Sequence, residues 1–282
     1  MLDDFDPQVV HGFYLVNHGH YAVGAGRHPM VVTAMGSDVL LAPNKSWLLS
    51  RIVKRTARGA DRVVAVAPHL AERLEKWGVP SPRLSIISLG VDSSLFKPGS
   101  KELLVLYSRG FNEIYDPLTL AYSLPQVVEQ VPMVRFVLSG SGPLKKKVEA
   151  LVAKMGLLDK VGLPGNISPQ SMAGLTARAR VMVSPSLSDG TPISVLEGLS
   201  SGCVLVASEI DGNRRWVVPG KNGLLFPPGD PNALAEALVQ ALTDDSLAER
   251  ALRKGPQMVK ADGDWHINSE RVERLYFDIV GA

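Results

Sequence analysis

The chain has 282 residues, 45% of them hydrophobic and 21% charged, with a net charge of +2. That length suits two modest domains of about 100–200 residues each, and so small a charge excludes a whole-molecule field for nucleic acid, leaving only local basic patches. A single cysteine, Cys203, excludes a disulfide framework and a cysteine-clustered metal site.

Cys203 is expected to be a small buried residue beside a strand, not a nucleophile. No apolar run approaches the ~18 residues of a membrane span. The first residues, MLDDFDPQVVHGF, carry acids instead of a basic, then apolar, export signal, so a cytoplasmic location is expected.

In chain order, ten short runs rich in Val, Ile and Leu predict strands at 8–13, 30–35, 61–67, 83–90, 102–108, 134–140, 160–165, 180–186, 203–208 and 223–227. Helical patterns stand between them, among them 68–78, 143–156 and 230–244. This alternation predicts an α/β fold of parallel sheets. The stretch 91–102, VDSSLFKPGSKE, lacks periodicity and predicts a linker, with four strands before it and six after. Residues 264–280 predict a long amphipathic helix whose apolar positions include Trp265, Ile267, Val272, Leu275, Tyr276 and Ile279.

Several joints could bind a ligand, since open α/β sheets hold ligands at the carboxyl ends of strands beside helix starts. RVMVSPS runs into LSDGTPISVLEGLSSG, a strand, a turn at Gly190 and Pro192, and a helix from about Ile193. The amides of Thr191, Ile193, Ser194 and Val195 would face an anion there. Glu197 could accept two ribose hydroxyls, and Asp189 a sugar hydroxyl. Alone, the pair equally describes a solvated loop acid and a glutamate near a helix dipole. LSGSGPLKKKVEA brings Gly140 and Gly142, which permit close approach to backbone, but it lacks a dinucleotide or nucleotide-triphosphate fingerprint. Arg109 follows a strand end, where a guanidinium could grip a diphosphate or simply lie in a surface loop.

His11, His18, His20 and His28 crowd the first residues without a metal-ligand pattern, so a structural or acceptor-side role is expected and no metal. Residues 46–62 are amphipathic and basic, with Arg51, Lys54, Arg55, Arg58 and Arg62 near Leu48, Leu49, Ile52 and Val53. The pattern fits either an ordinary helix with a solvated charged face or peripheral contact with an anionic membrane.

Taken in order, these joints resemble family 4 glycosyltransferases over nearly the whole chain. PQVVHGFY, MVVTAMGSDVL, ADRVVAVAPHLAERLEKWGV and LSIISLGVDSSLFKP resemble the second half of that family's N-terminal domain. VLYSRG, RFVLSGSGPLKKKVEAL, VGLPGNIS, the 179–208 stretch and DGNRRWVVPGKNGLLFPPGDPNALAEAL resemble its C-terminal, nucleotide-binding domain. The resemblance implies a GT-B fold, two Rossmann-like domains facing across a cleft. The expected limits are 1–97 for a partial acceptor-side domain, 98–262 for the nucleotide-sugar domain, and 263–282 for a helix packing back toward the first.

It also implies sugar transfer from a nucleotide-diphosphate donor to an acceptor hydroxyl with retention, without metal or cofactor. Glu197 would hold the ribose, Asp189 the donor sugar, and Arg109 the diphosphate. Gly190, Thr191, Pro192, Ile193 and Ser194 would wrap the sugar and distal phosphate, and Asn166 and Ile167 would hold the base. The acceptor could be a glycan, a lipid or a small molecule.

Three departures stand out. Asp189 replaces the family's usual glutamate, as in a branch with an SDGTP motif. Tyr115 stands where a lysine usually shares the diphosphate with the arginine. Met35 stands where many members carry a histidine near the reacting carbon. The family's first three strand–helix units have no counterpart, so a shortened first domain is expected, with strand 8–13 as a sheet edge through which copies could associate. The competing readings are a non-catalytic nucleotide- or sugar-binding relative and, less well matched in motif order, a nucleotide-sugar epimerase.

Overall fold

The computed structural model describes residues 5–26 and 28–281; the first four residues, Arg27 and Ala282 lie outside the described residues. All ten apolar runs form strands: β1 Val10–Phe13, β2 Met30–Ala34, β3 Arg62–Ala65, β4 Leu84–Ile86, β5 Glu102–Ser108, β6 Arg135–Ser139, β7 Val161–Gly165, β8 Ala179–Ser184, β9 Val204–Ser208 and β10 Gly223–Phe226. They make a sheet of four, β1-β2-β3-β4, and a sheet of six, β10-β9-β8-β5-β6-β7, with every pairing parallel. The longer helices are α1 Gly19–Ala25, α2 Trp47–Gly59, α3 Pro68–Lys76, α4 Pro117–Gln130, α5 Lys145–Lys154, α6 Pro169–Arg178, α7 Ile193–Ser200, α8 Pro231–Thr243, α9 Asp245–Met258 and α10 Trp265–Val280.

The chain folds into two compact units. One comprises the residues up to Leu89, Asp189–Thr191, and those from Trp265 on; the other comprises Gly90–Ser188 and Pro192–Asp264. In the first, alternation along the strands splits two cores. Val32 and Val63 pack under α2 and α3 with Val53, Ala57, Leu70 and Leu74. Val31 and Val64 face the other way, onto Leu275 of α10, with Val272, Tyr276 and Ile279 beside it. Two expected apolar positions of α10, Trp265 and Ile267, are instead exposed, at 53% and 38%. They fall off the stripe that meets the sheet. Among the described residues β1 pairs on one side only.

The second unit repeats the scheme on its larger sheet. Val105, Tyr107, Phe136, Leu138, Val181 and Val206 face a core closed by α4 and α8. Leu104, Leu106, Met182 and Leu205 face α7 and the fully buried Trp216. Residues 91–102 connect the two sheets, with four strands before and six after, and are held along the way. Asp92 Oδ1 accepts from the amides of Ser94 and Leu95, Ser93 bonds Asp264, and Val91 and Phe96 are buried. Turn chemistry, not mobility, makes this stretch aperiodic.

Candidate functional site

In the six-stranded sheet the chain goes from β5 outward to β6 and β7, then returns to lay β8 on the other side of β5. The strand order therefore reverses between β5 and β8, and the crevice beyond their carboxyl ends is where such sheets bind ligands. Arg109 is the first residue after β5, and the loop after β8 leads to α7.

A cavity of about 320 Å³ lies at the ends of β5, β6 and β7. Arg109, Gly140, Asn166 and Ile167 line it, so four positions expected from sequence meet in one place. Ser108, Ser139, Ser141 and Met172 join them. The serines end strands or follow them, a signal readable in sequence; Met172 lies in α6 and was legible only as a helix residue.

The two glycines of the 138–150 joint, Gly140 and Gly142, also have a packing role. Gly142 has φ +150, and a Cβ there would meet the Phe111 carbonyl oxygen at 2.6 Å. A Cβ on Gly140, at φ +137, would strike the Arg109 carbonyl. The loops are laced by Phe111 N–H to Ser141 O and Leu144 N–H to Phe111 O, both 2.9 Å. The glycines let one loop lie on the other and so hold Arg109 in place. Gly140 still borders the cavity.

Arg109 is covered by Tyr115, whose ring centroid lies 4.1 Å from the guanidinium carbon. Tyr115 closes a short helical turn, Glu113–Tyr115, and the next residue, Asp116, holds φ 41 while its carboxylate caps α4 through Thr119. Leu187, just before the 188–202 segment, donates its amide to the Ile114 carbonyl of the same turn at 2.8 Å.

Glu197 sits in α7, and burial pushes its carboxyl up to about 7, while the Arg109 charge pulls in the opposite direction. Ser194, in the first turn of α7, is 3% exposed, and its hydroxyl has no hydrogen-bond partner among the described residues. Such a group is normally satisfied, so an orphan at a helix N-terminus marks a place for an acceptor or donor atom. Pro192 precedes Ile193 as the α7 N-cap.

Asp189, Gly190 and Thr191 pack with the first unit. The Thr191 hydroxyl donates to the Val66 carbonyl, and a Cβ on Gly190 would come 3.1 Å from Gly36 Cα. Gly36 follows Met35 after β2, and this turn is built on Asp38, a residue the sequence pattern did not single out. The buried Asp38 carboxylate accepts from the amides of Leu15, Met35 and Gly36 at 2.9–3.1 Å. Burial raises its pKa and those bonds oppose the rise.

The histidines do not gather. His11 bonds Thr33 and Tyr276, and His20 Nδ1 lies 3.4 Å from Thr56 Oγ1. Cys203 is buried as expected, donating toward the carbonyls of Thr176 and Ala179, and burial raises its thiol pKa. No helix among the described residues is long and apolar enough to cross a membrane.

Residues 92–258 match the family described as glycosyl transferases group 1, and residues 1–95 match glycosyltransferase family 4. The first match covers more than half of the chain, which therefore belongs to the group 1 glycosyl transferases. An uncharacterized glycosyltransferase of Methanocaldococcus jannaschii is 25% identical over 86% of this chain and 70% of its own. The putative colanic acid biosynthesis glycosyltransferase WcaL of Escherichia coli is 26% identical over 77% of this chain and 57% of its own. The phosphatidyl-myo-inositol mannosyltransferase of Mycobacterium leprae is 30% identical over 55% of this chain and 40% of its own. The chain thus spans only part of each relative. Sucrose-phosphate synthase from Thermosynechococcus elongatus superposes with TM-score 0.84 at 23% identity, covering 99% of this chain and 75% of that one. Anabaena HepE in complex with UDP and glucose gives 0.82 at 16%, covering 97% and 78%. The fold is the GT-B type expected from the sequence.

Proposed function

We propose that this group 1 glycosyl transferase moves a sugar from a nucleotide-diphosphate donor to an acceptor hydroxyl, with retention and without a metal or other cofactor. The observation that carries the reading is the meeting of Arg109, Gly140, Asn166 and Ile167 on one cavity at the strand ends. The base would lie by Asn166 and Ile167, the ribose at Glu197, and the diphosphate at Arg109. Gly190, Thr191, Pro192, Ile193 and the unsatisfied Ser194 hydroxyl would serve the distal phosphate and the sugar, with Asp189 on a sugar hydroxyl.

The chemistry is leaving-group stabilisation. As the bond to the sugar breaks, negative charge grows on the departing diphosphate. A guanidinium held under Tyr115 and the amides at the start of α7 would accept that charge. These two fixed positive groups supply what a bound divalent cation would, and they are the support for a metal-free reaction. The HepE structure holds UDP and glucose, which puts uridine nucleotides first among the donors to try.

A thermal-shift panel of nucleoside diphosphates and their sugars tests the reading, with Glu197→Ala as control. A ligand at a hundredfold excess over its Kd stabilises by about 2.7 kcal/mol. A shift with one base, lost in the variant, supports it; no shift with any member removes it. Nucleotide release with glycan, lipid and small-molecule acceptors then separates transfer from binding. The second reading, a binder that does not transfer, is favoured by the single arginine under an aromatic cover where a second cation could stand. Pairing of two copies along β1 is the proposed self-contact, and a clean monomer by light scattering would count against it.

A further inference from the structure

Charge is distributed unevenly in this chain. Residues 7–60 hold six basic side chains (Arg27, Lys45, Arg51, Lys54, Arg55 and Arg58) and one acid, Asp38, a local net charge of +5 where the whole chain carries +2. The one acid is buried under three backbone amides and lines a cavity instead of the exposed face of α2.

Helix α2 sorts these residues onto faces. Val53, Thr56 and Ala57 are buried. Leu48, Arg51, Arg55 and Arg58 are exposed at spacings of three and four, so they form one stripe on the opposite side. The stripe does not end in polar residues. Trp47 is 75% exposed and Leu48 52% exposed at the helix start, and Tyr21 of α1, which packs against α2, is 75% exposed. Trp47 and Leu48 are preceded by the exposed Lys45.

An ordinary solvated face has charges of both signs and no indole. A row of arginines with no opposing acid on the helix, ending in an exposed Trp–Leu pair, matches a surface that is anionic outside and apolar just beneath. Arginine heads meet lipid phosphates, and tryptophan favours the boundary between headgroups and acyl chains. We propose that the exposed face of α2, with Trp47 and Leu48 at its tip, docks on an anionic lipid bilayer as a peripheral contact. Leu49 of α2 and Lys45 just before it line a cavity of about 400 Å³ with Asn17, Ser37, Asp38 and Leu41, so the docked face borders a pocket of mixed polar and apolar character. This inference stands on the surface of the first unit and does not need the donor reading to hold.

Co-sedimentation of the full chain with vesicles tests it. One set would be phosphatidylcholine alone, the other phosphatidylcholine with about 30 mol% phosphatidylglycerol. The chain is expected to sediment with the second set and not the first, and to be released as salt rises. Arg51→Glu/Arg55→Glu/Arg58→Glu should weaken binding by roughly tenfold or more, and Trp47→Ser/Leu48→Ser should weaken it without changing its salt dependence. All five positions are exposed, and circular dichroism checks that the variants fold. Should the arginine variant fail to fold, quenching of Trp47 fluorescence by brominated lipid, taken as wild type minus Trp47→Phe, reads the same contact. Absence of binding to anionic vesicles at low salt overturns the proposal. So does equal binding after charge reversal, absent quenching, or a preference for heparin or duplex DNA that survives the loss of Trp47 and Leu48.

Discussion

The Tyr115 ring lies over the guanidinium of Arg109, centroid to carbon 4.1 Å, and Arg109 lines the strand-end cavity. The stack fixes the plane of the fork that would meet a diphosphate. Tyr115→Phe keeps the ring and is expected to leave donor kinetics within about twofold, whereas Tyr115→Ala removes a partly desolvated cation–π contact worth about 1–2 kcal/mol, or roughly tenfold in kcat/KM for the donor. Tyr115→Lys trades the ring for a second cation, and should steepen the salt dependence of nucleotide binding in calorimetry. Wild-type behaviour of Tyr115→Ala beside a dead Arg109→Ala would refute the positioning role and leave the site standing.

Glu197 couples the site to pH. Its folded pKa of about 7 lies above the ordinary 4.5 because burial disfavours the charged form. The neutral form therefore supports the fold fully below pH ~4.5, and about 3 kcal/mol of that support is lost as pH rises to ~7. Glu197→Gln should flatten the stability profile across this window, as read by denaturant melts at several pH values. If ribose hydroxyls donate to the ionised carboxylate, nucleotide binding near pH 6 should release a proton, seen as a calorimetric enthalpy that varies with the buffer.

Gly140→Ala puts a methyl into the Arg109 carbonyl at φ +137. A loss of about 2–3 kcal/mol in stability is expected, together with weaker nucleotide binding, because the loop that holds Arg109 must shift. Gly156→Ala is the control: φ is +71 but the space is open, so only the left-handed strain of about 1–2 kcal/mol applies and binding is unchanged.

His11 lies between Thr33 and Tyr276 of α10, and burial lowers its pKa to about 4. A neutral imidazole thus supports the fold above pH ~6.5, and that support is lost as pH falls toward ~4. Protection factors of the α10 amides, exchange normalised to the intrinsic rate at each pH, should fall across that range, and His11→Phe should remove that fall. Unchanged protection factors in the wild type between pH 7 and 4.5 would show that His11 does not tie α10 to the sheet.

Strand positions were legible because a parallel strand buried on both faces must be a continuous apolar run, and ten such runs became ten strands. Arg109 was legible as a candidate because it follows a strand end and Glu197 because it lies one turn into a helix that a strand-end loop opens, while Asn166 was reached only through the family resemblance. The 91–102 stretch was legible as the connection between the two sheets, but its side-chain and backbone hydrogen bonds were not, because turn chemistry and a linker share the same residue types. Trp265 and Ile267 misled because hydrophobicity alone does not say which stripe of α10 finds the sheet.

What no local pattern carries is which chain segments become neighbours. The return of the chain to set β8 beside β5 creates the crevice at Arg109. The approach of residues 109–111 and 140–144 explains Gly140 and Gly142. The buried, unsatisfied Ser194 hydroxyl and the raised Glu197 pKa both depend on surroundings assembled by folding. Burial and field are properties of surroundings, and those surroundings come from residues tens of positions away, so only the tertiary structure could decide them.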